Sequence, residues 1–181
     1  METKTCSVMN FNSTRRIVLL LVFIFIAIGF DQVSKIIVRN KLNYNEQISV
    51  IKDRFILVKI ENSGAFLSLG DGMPTILKFI VLSGLPLIAL GYGLYYLYSR
   101  YKQPIATQIA LCFVIGGGVG NLYDRIMYGS VTDFMHLDFY LFRTGIFNFA
   151  DVFIMIGIGI LLLQSFVKNK DLVATQNEAI D

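Results

Sequence analysis

Two acidic residues stand where an apolar chain should not keep them. Asp133 lies in the run Val131-Thr132-Asp133-Phe134 with no Lys or Arg within four positions, and Asp151 lies in Phe147-Asn148-Phe149-Ala150-Asp151-Val152, which leads into an apolar helix. An ionised side chain near a bilayer is disfavoured by roughly a few kcal/mol unless it meets a partner, water or a reaction. If the two carboxyls approach one another, both cannot ionise cheaply, and the pair shares one proton. That is chemistry for hydrolysis: the ionised partner takes a proton from water while the protonated partner polarises a scissile carbonyl.

Each acid also has a plainer role open to it. Asn148 can serve as an N-cap with Asp151 as the third helical residue, where a carboxylate complements the helix dipole. Asn121-Leu122-Tyr123-Asp124 repeats the same spacing at the end of another apolar stretch. Asp133 can be a solvated loop acid. Asp31 and Lys35 are four apart with the acid first, the favourable order for an intrahelical ion pair that simply neutralises itself. Arg125, beside Asp124, can snorkel to the interface, or hold a carboxylate or a lipid head group. A magnesium site from Asp124, Asp133, Asp151 and the two asparagines stays open by residue type.

Nucleophile and zinc chemistries are poorly served. His136 is the only histidine, no His-Glu-x-x-His occurs, and Cys6 and Cys112 are far apart with no histidine nearby, so both read as free thiols. The glycine run 116–120 lacks the lysine of a phosphate-binding loop and follows an apolar stretch. Close helix packing explains it better.

The elements that must position these residues are membrane spans. The chain has 181 residues, 55% hydrophobic and 16% charged, with a mean hydropathy of +0.61, a composition for a bilayer rather than for water. Its net charge of +3 is spread over scattered Lys and Arg, which argues against nucleic-acid binding. Spans are expected at about 17–38, 75–99, 105–124 and 149–167. The first has 22 residues, about 33 Å of helix, and no small-x-small site follows it, so it reads as an uncleaved span. Pro86 should kink the second. Arg15, Arg16, Arg100, Lys102, Lys168 and Lys170 crowd one set of span ends, which places both termini in the cytoplasm. Asp31, Asp124, Asp133 and Asp151 then all face outward. Segment 39–74 is too long for a bare loop, and Ile48 to Ile60 is rich in β-branched residues, so a short sheet on the outer surface is expected. No repeat or linker divides the chain, and 1–181 reads as a single integral membrane domain.

Five blocks occur in order: Asp31-Gln32-x-Ser34-Lys35, Asn62-x-Gly64-Ala65-Phe66, Gly120-Asn121-x-x-Asp124-Arg125, Gly129-x-Val131-x-Asp133-Phe134 and Phe147-Asn148-x-Ala150-Asp151. In these blocks and its four spans the chain resembles the bacterial lipoprotein signal peptidases, the signal peptidase II family of membrane aspartic proteases. The resemblance implies an all-α membrane fold of four transmembrane helices, with a small outward-facing β-cradle and a short surface helix between spans one and two. It implies a catalytic dyad of Asp133 and Asp151. Asn121, Asp124, Arg125 and Asn148 would shape the site, and Asp31, Lys35, Asn62 and Gly64 would line the substrate cleft or hold its walls. No metal or other cofactor is implied. The implied partners are membrane lipids and prolipoproteins whose lipobox cysteine already carries diacylglycerol, cut just before that cysteine by a monomer in the bacterial cytoplasmic (inner) membrane with its active site on the extracytoplasmic side. One departure stands out: many members carry a proline in the approach to the last block, whereas this chain reads Thr144-Gly145-Ile146-Phe147-Asn148, which predicts a looser approach.

Two readings from different functional classes stay open in the sequence. A small transporter or channel subunit would use intramembrane carboxylates to relay protons or bind cations. A structural membrane subunit would use the same acids as caps and ion pairs. Asp124 also competes with Asp133 as the partner of Asp151, because its block is equally distinctive.

Overall fold

A computed structural model of the chain describes residues 13–44, 46–52, 54–64, 72, 74–100, 103–140 and 142–178. Among these, four helices are long and apolar enough to cross a membrane: Thr14–Lys41, Ile76–Ser99, Ile105–Tyr128 and Phe149–Val167. They belong to α1 (Ser13–Lys41), to α2 (Thr75–Phe79) continued through a π-helical turn (Ile80–Gly84) into α3 (Leu85–Ser99), to α4 (Ile105–Tyr128) and to α5 (Phe149–Glu178). The wide turn sits just before Pro86. Proline has no N–H to return to the preceding turn, so the helix is rewound there rather than broken.

The order of packing follows from where the small residues lie. Helix α4 is the hub: α1, α3 and α5 all pack on it. A Cβ added at Gly116 would stand 2.6 Å from Ala27 Cβ on α1, one at Gly118 2.6 Å from Leu90 Cδ2 on α3, and one at Gly117 would collide with the Ala150 carbonyl on α5. The glycine run is therefore a packing surface that lets three helices approach one backbone. On α1 the buried positions are Leu20, Ile24, Ala27, Asp31, Lys35 and Val38. Steps of three and four keep them on one face. The opposite face, including Phe25, Ile26, Phe30 and Val33, stays exposed, as expected where the surrounding solvent is lipid.

A three-stranded antiparallel sheet, ordered β1-β2-β3, covers one end of the helices. Strands β1 (Gln47–Ile51) and β2 (Phe55–Asn62) supply the sheet expected from Ile48 to Ile60. Strand β3 (Val131–Leu137) comes from the connection before α5, which had no strand assigned to it. Val131 to Met135 are all buried, so the run lacks the in-out alternation that marks a half-buried strand. Residues 65–71, where segment 39–74 leaves room for the short surface helix, lie outside the described residues.

Two local stops aim the sheet. Helix α4 runs to Tyr128, beyond the expected boundary near 124, and ends at Gly129 with φ 76°, the left-handed cap that glycine adopts without a Cβ clash. Strand β2 shifts register between Leu57 and Ile60, after which Ile60 faces Asp133 and Asn62 faces Val131. From the sheet, Phe55, Leu57, Phe134 and Met135 cluster with Val38 of α1, with Leu42 just after it and with Phe149 and Val152 of α5.

Candidate active site

The block Phe147-Asn148-Phe149-Ala150-Asp151 folds as a reciprocal cap. The Asp151 N–H donates to Asn148 Oδ1 and the Asn148 N–H donates to Asp151 Oδ2, both at 3.1 Å, so two orphan donors at the start of α5 are satisfied by the pair. The expected cap is thus present, and it leaves both residues with a free end. Asn148 Nδ2 donates to Asp133 Oδ1 at 2.6 Å. Asp151 Oδ1 accepts from Asn121 Nδ2 on α4 at 2.8 Å. One buried asparagine therefore ties the carboxyl of β3 to the first turn of α5.

Asp133 is 4% exposed. Its second oxygen accepts from Asn62 Nδ2 at 2.9 Å, and Asn62 Oδ1 accepts the Gly64 N–H at 3.0 Å. Both side-chain donors to Asp133 are neutral amides. Burial pushes its carboxyl up to about 6; the two amides pull down and the neighbouring Asp151 charge pushes up further.

Asp124 has the opposite environment. It is fully buried, with Lys35 Nζ at 3.1 Å and Arg39 Nη2 at 3.0 Å, while Lys35 also pairs with Asp31 at 2.9 Å and donates to Asn121 Oδ1 at 2.9 Å. Asp31 accepts the Ala150 N–H at 2.9 Å. Gln32 Nε2 donates to Asp31, to the Gly120 carbonyl and to Asp124. Asp124 Oδ2 also accepts the Thr132 N–H of β3 at 3.4 Å, so a network of two acids and two cations joins α1, α4, β3 and α5. The repeated Asn-x-x-Asp spacing at 121–124 is not a cap, since it lies inside α4.

The structure brings Asp31, Lys35, Asn62, Gly64, Asn121, Asp124, Arg125, Asn148, Asp133 and Asp151 into one connected region. Arg125 Nη2 donates to the Gly64 carbonyl at 3.1 Å, so it holds the chain beyond β2. Among the described residues, no group of three His, Cys, Asp or Glu side chains is arranged to hold a metal ion, and Lys35 and Arg39 lie against Asp124. The approach to Asn148 is tied down rather than loose. The Phe147 carbonyl accepts from the Phe134 and Met135 N–H groups and its N–H donates to the Met135 carbonyl, and Thr144 bonds Leu137 through both N–H and hydroxyl. Sheet bonds supply the restraint that a proline would have supplied.

Residues outside the expected set also contribute. Arg39 Nε donates to Thr132 Oγ1 at 2.8 Å, and Thr132 donates to Glu61 Oε1 at 2.9 Å, fixing the strand residue beside Asp133. The signal was present, since Arg39 follows Lys35 and Asp31 at steps of four on one helix face.

A family model described as signal peptidase (SPase) II matches residues 23–167. This chain belongs to the signal peptidase II family. Over 145 residues, 80% of this chain and 93% of the relative, it is 39% identical to the lipoprotein signal peptidase of Brevibacillus brevis. It is 38% identical to that of Clostridioides difficile over 77% of this chain and 88% of the relative. A solved bacterial membrane enzyme shares the fold with a TM-score of 0.78 at 22% identity, covering 86% of this chain and 92% of the other. The signal peptidase II chain is thus a multi-pass bacterial membrane protease, and the transporter or channel reading has no support.

Proposed function

We propose that Asp133 and Asp151 are the catalytic dyad with which this signal peptidase II removes signal peptides from diacylglyceryl-modified prolipoproteins, cutting just before the lipidated cysteine. The observation that carries the assignment is Asn148, which caps Asp151 and donates to Asp133 at once. It fixes two carboxyls relative to one another without supplying a cation to neutralise either. Asp151 takes the proton of the attacking water; Asp133, whose carboxyl is raised to about 6 by burial, presents its proton to the scissile carbonyl and stabilises the charge that develops there. Collapse of the tetrahedral intermediate returns a proton to the leaving amine.

The remaining residues divide by burial. Asp31, Lys35, Asp124 and Asn148 have no exposed surface and Gly64 is buried too, so these hold the walls of the cleft, while the half-buried Asn62 and Arg125 border its open side. With both termini cytoplasmic, the dyad stands at the extracytoplasmic ends of the spans. A lipid-anchored substrate delivers its scissile bond at that height. Basic residues crowding the opposite span ends support this orientation, and the common hub α4 supports reading the chain as one membrane domain; we propose that it works as a monomer among membrane lipids. The test is cleavage of a lipid-modified prolipoprotein in detergent by Asp133→Asn and Asp151→Asn. Each should accumulate in membranes and leave the precursor uncut; full activity in either sinks the dyad.

A further inference from the structure

Residues 138–140, 142 and 143, between β3 and α5, form a second built feature that the dyad does not use. The chain reverses there, with the Phe139 N–H donating to the Phe142 carbonyl at 3.0 Å. Asp138 clamps the base: it pairs with Arg143 Nε at 2.6 Å and accepts the Tyr140 N–H at 3.1 Å. The rings of Phe139 and Phe142 stack with centroids 5.7 Å apart and planes 15° from parallel. The turn is thus held by its own bonds, and it turns its apolar groups outward. Phe139 is 47% exposed, Tyr140 81% and Phe142 59%. Tyr140 also holds a φ of 59°, in the left-handed region that Gly or Asn enters at lower cost. A large ring kept on such a backbone is presented rather than packed.

The β1–β2 turn lies against this hairpin. The Asp138 N–H donates to the Arg54 carbonyl at 2.9 Å, the Arg54 guanidinium lies 5.9 Å from the Tyr140 ring, and Ile51 is exposed beside them in sequence. Arg143 and Asp138 pair with each other, and the β1–β2 turn adds two basic residues, Lys52 and Arg54, on either side of Asp53 in the sequence. Aromatic rings rimmed by Arg and Lys are what the bilayer interface takes: the rings suit the boundary between head groups and acyl chains, and the cations suit the phosphates. Water does not favour three neighbouring rings left open.

We propose that the hairpin 138–143, with Arg54, is an interfacial anchor that seats its rings among the lipid head groups and first acyl carbons of the leaflet beside the active site. Asp138 lies five positions beyond Asp133, just past the end of β3, about 17 Å along an extended chain. Seating the hairpin therefore fixes the height of the Asp133 strand over the lipid that delivers the substrate. The inference deepens the proposed function and rests on its reading that the dyad works at the membrane surface.

The chain contains no tryptophan, so Tyr140→Trp or Phe142→Trp introduces a single indole at the tip. The full chain is reconstituted into phosphatidylcholine–phosphatidylglycerol vesicles, with and without bromine on the upper acyl carbons. The anchor predicts a blue-shifted emission that loses most of its intensity to the brominated lipid and little to aqueous acrylamide. Emission at the wavelength of indole in water, quenched by acrylamide and indifferent to bromine, overturns it, whether the tip then stands free or meets a soluble partner. Cleavage assays on the same vesicles separate the two readings. Active enzyme with a water-exposed indole removes the anchor and leaves the dyad, whereas a lipid-quenched indole in a chain whose Asp133→Asn form still cleaves does the reverse.

Discussion

Two pairs of carboxylates lie in adjoining parts of one region, and their partners differ. Asp31 and Asp124 are fully buried against Lys35 and Arg39, so their charge is matched and the network ties α1, α4, β3 and α5 together. Asp133 and Asp151 meet asparagine amides and backbone N–H groups instead. Amides can orient a carboxyl without neutralising it. Cations lie against the first pair and amides against the second, a difference that suits a strut on one side and the proposed dyad on the other.

Charge removal at the two pairs should have opposite consequences, and the largest effect is expected at the dyad. Asp133→Asn or Asp151→Asn removes a group that must give or take a proton and should lower kcat by about 10³-fold or more, with unfolding temperature largely kept. If instead Asp124→Asn abolishes turnover in a fully stable protein while Asp133→Asn retains it, the comparison is inverted and Asp124 displaces Asp133.

At the strut, Lys35→Met leaves two buried acids short of a cation. It should destabilise the protein by about 3–5 kcal/mol, read as a fall in unfolding temperature in detergent. Adding Asp31→Asn to Lys35→Met should recover part of that stability, because the unpaired charge is removed with its partner.

A finer effect separates the pairs by pH. Burial raises the Asp133 carboxyl to about 6, so its protonated form is lost as pH rises through that value, and kcat/KM of the free enzyme should fall above about pH 6. The Asn62 amide favours the ionised form. Asn62→Ala should therefore move the alkaline limb upward, by about one pH unit if the lost hydrogen bond is worth about 1.5 kcal/mol. A limb that stays in place means another group carries the proton.

The smallest effect concerns the backbone that holds the strut. A Cβ at Gly120 would stand 2.5 Å from Asp31 Oδ2, whereas one at Gly29 meets nothing within 4 Å. Gly120→Ala should cost about 1–3 kcal/mol through displacement of Asp31, and Gly29→Ala should leave stability unchanged or slightly improved. Equal effects at the two glycines would mean that the approach of α4 to Asp31 is not what holds the network.

The sequence by itself determined the spans, since runs of apolar residues about 20 long have one stable place, and it determined the blocks that carry Asp31, Asn62, Asp124, Asp133 and Asp151. It also carried the cap at Asn148 and Asp151 and the close packing of residues 116–120, because both depend on spacing along one helix. The tertiary structure decided the rest. That β3 is a strand depended on its burial by α1, α4 and the start of α5 while β2 pairs along its edge, which erases alternation. That Asp124 meets cations directly while Asp133 meets amides depended on Lys35 and Arg39 reaching across from α1, a contact between residues far apart in the chain. Spacing along a helix or strand is local and legible in one dimension, whereas the partner that sets a carboxyl's charge is chosen only when helices pack.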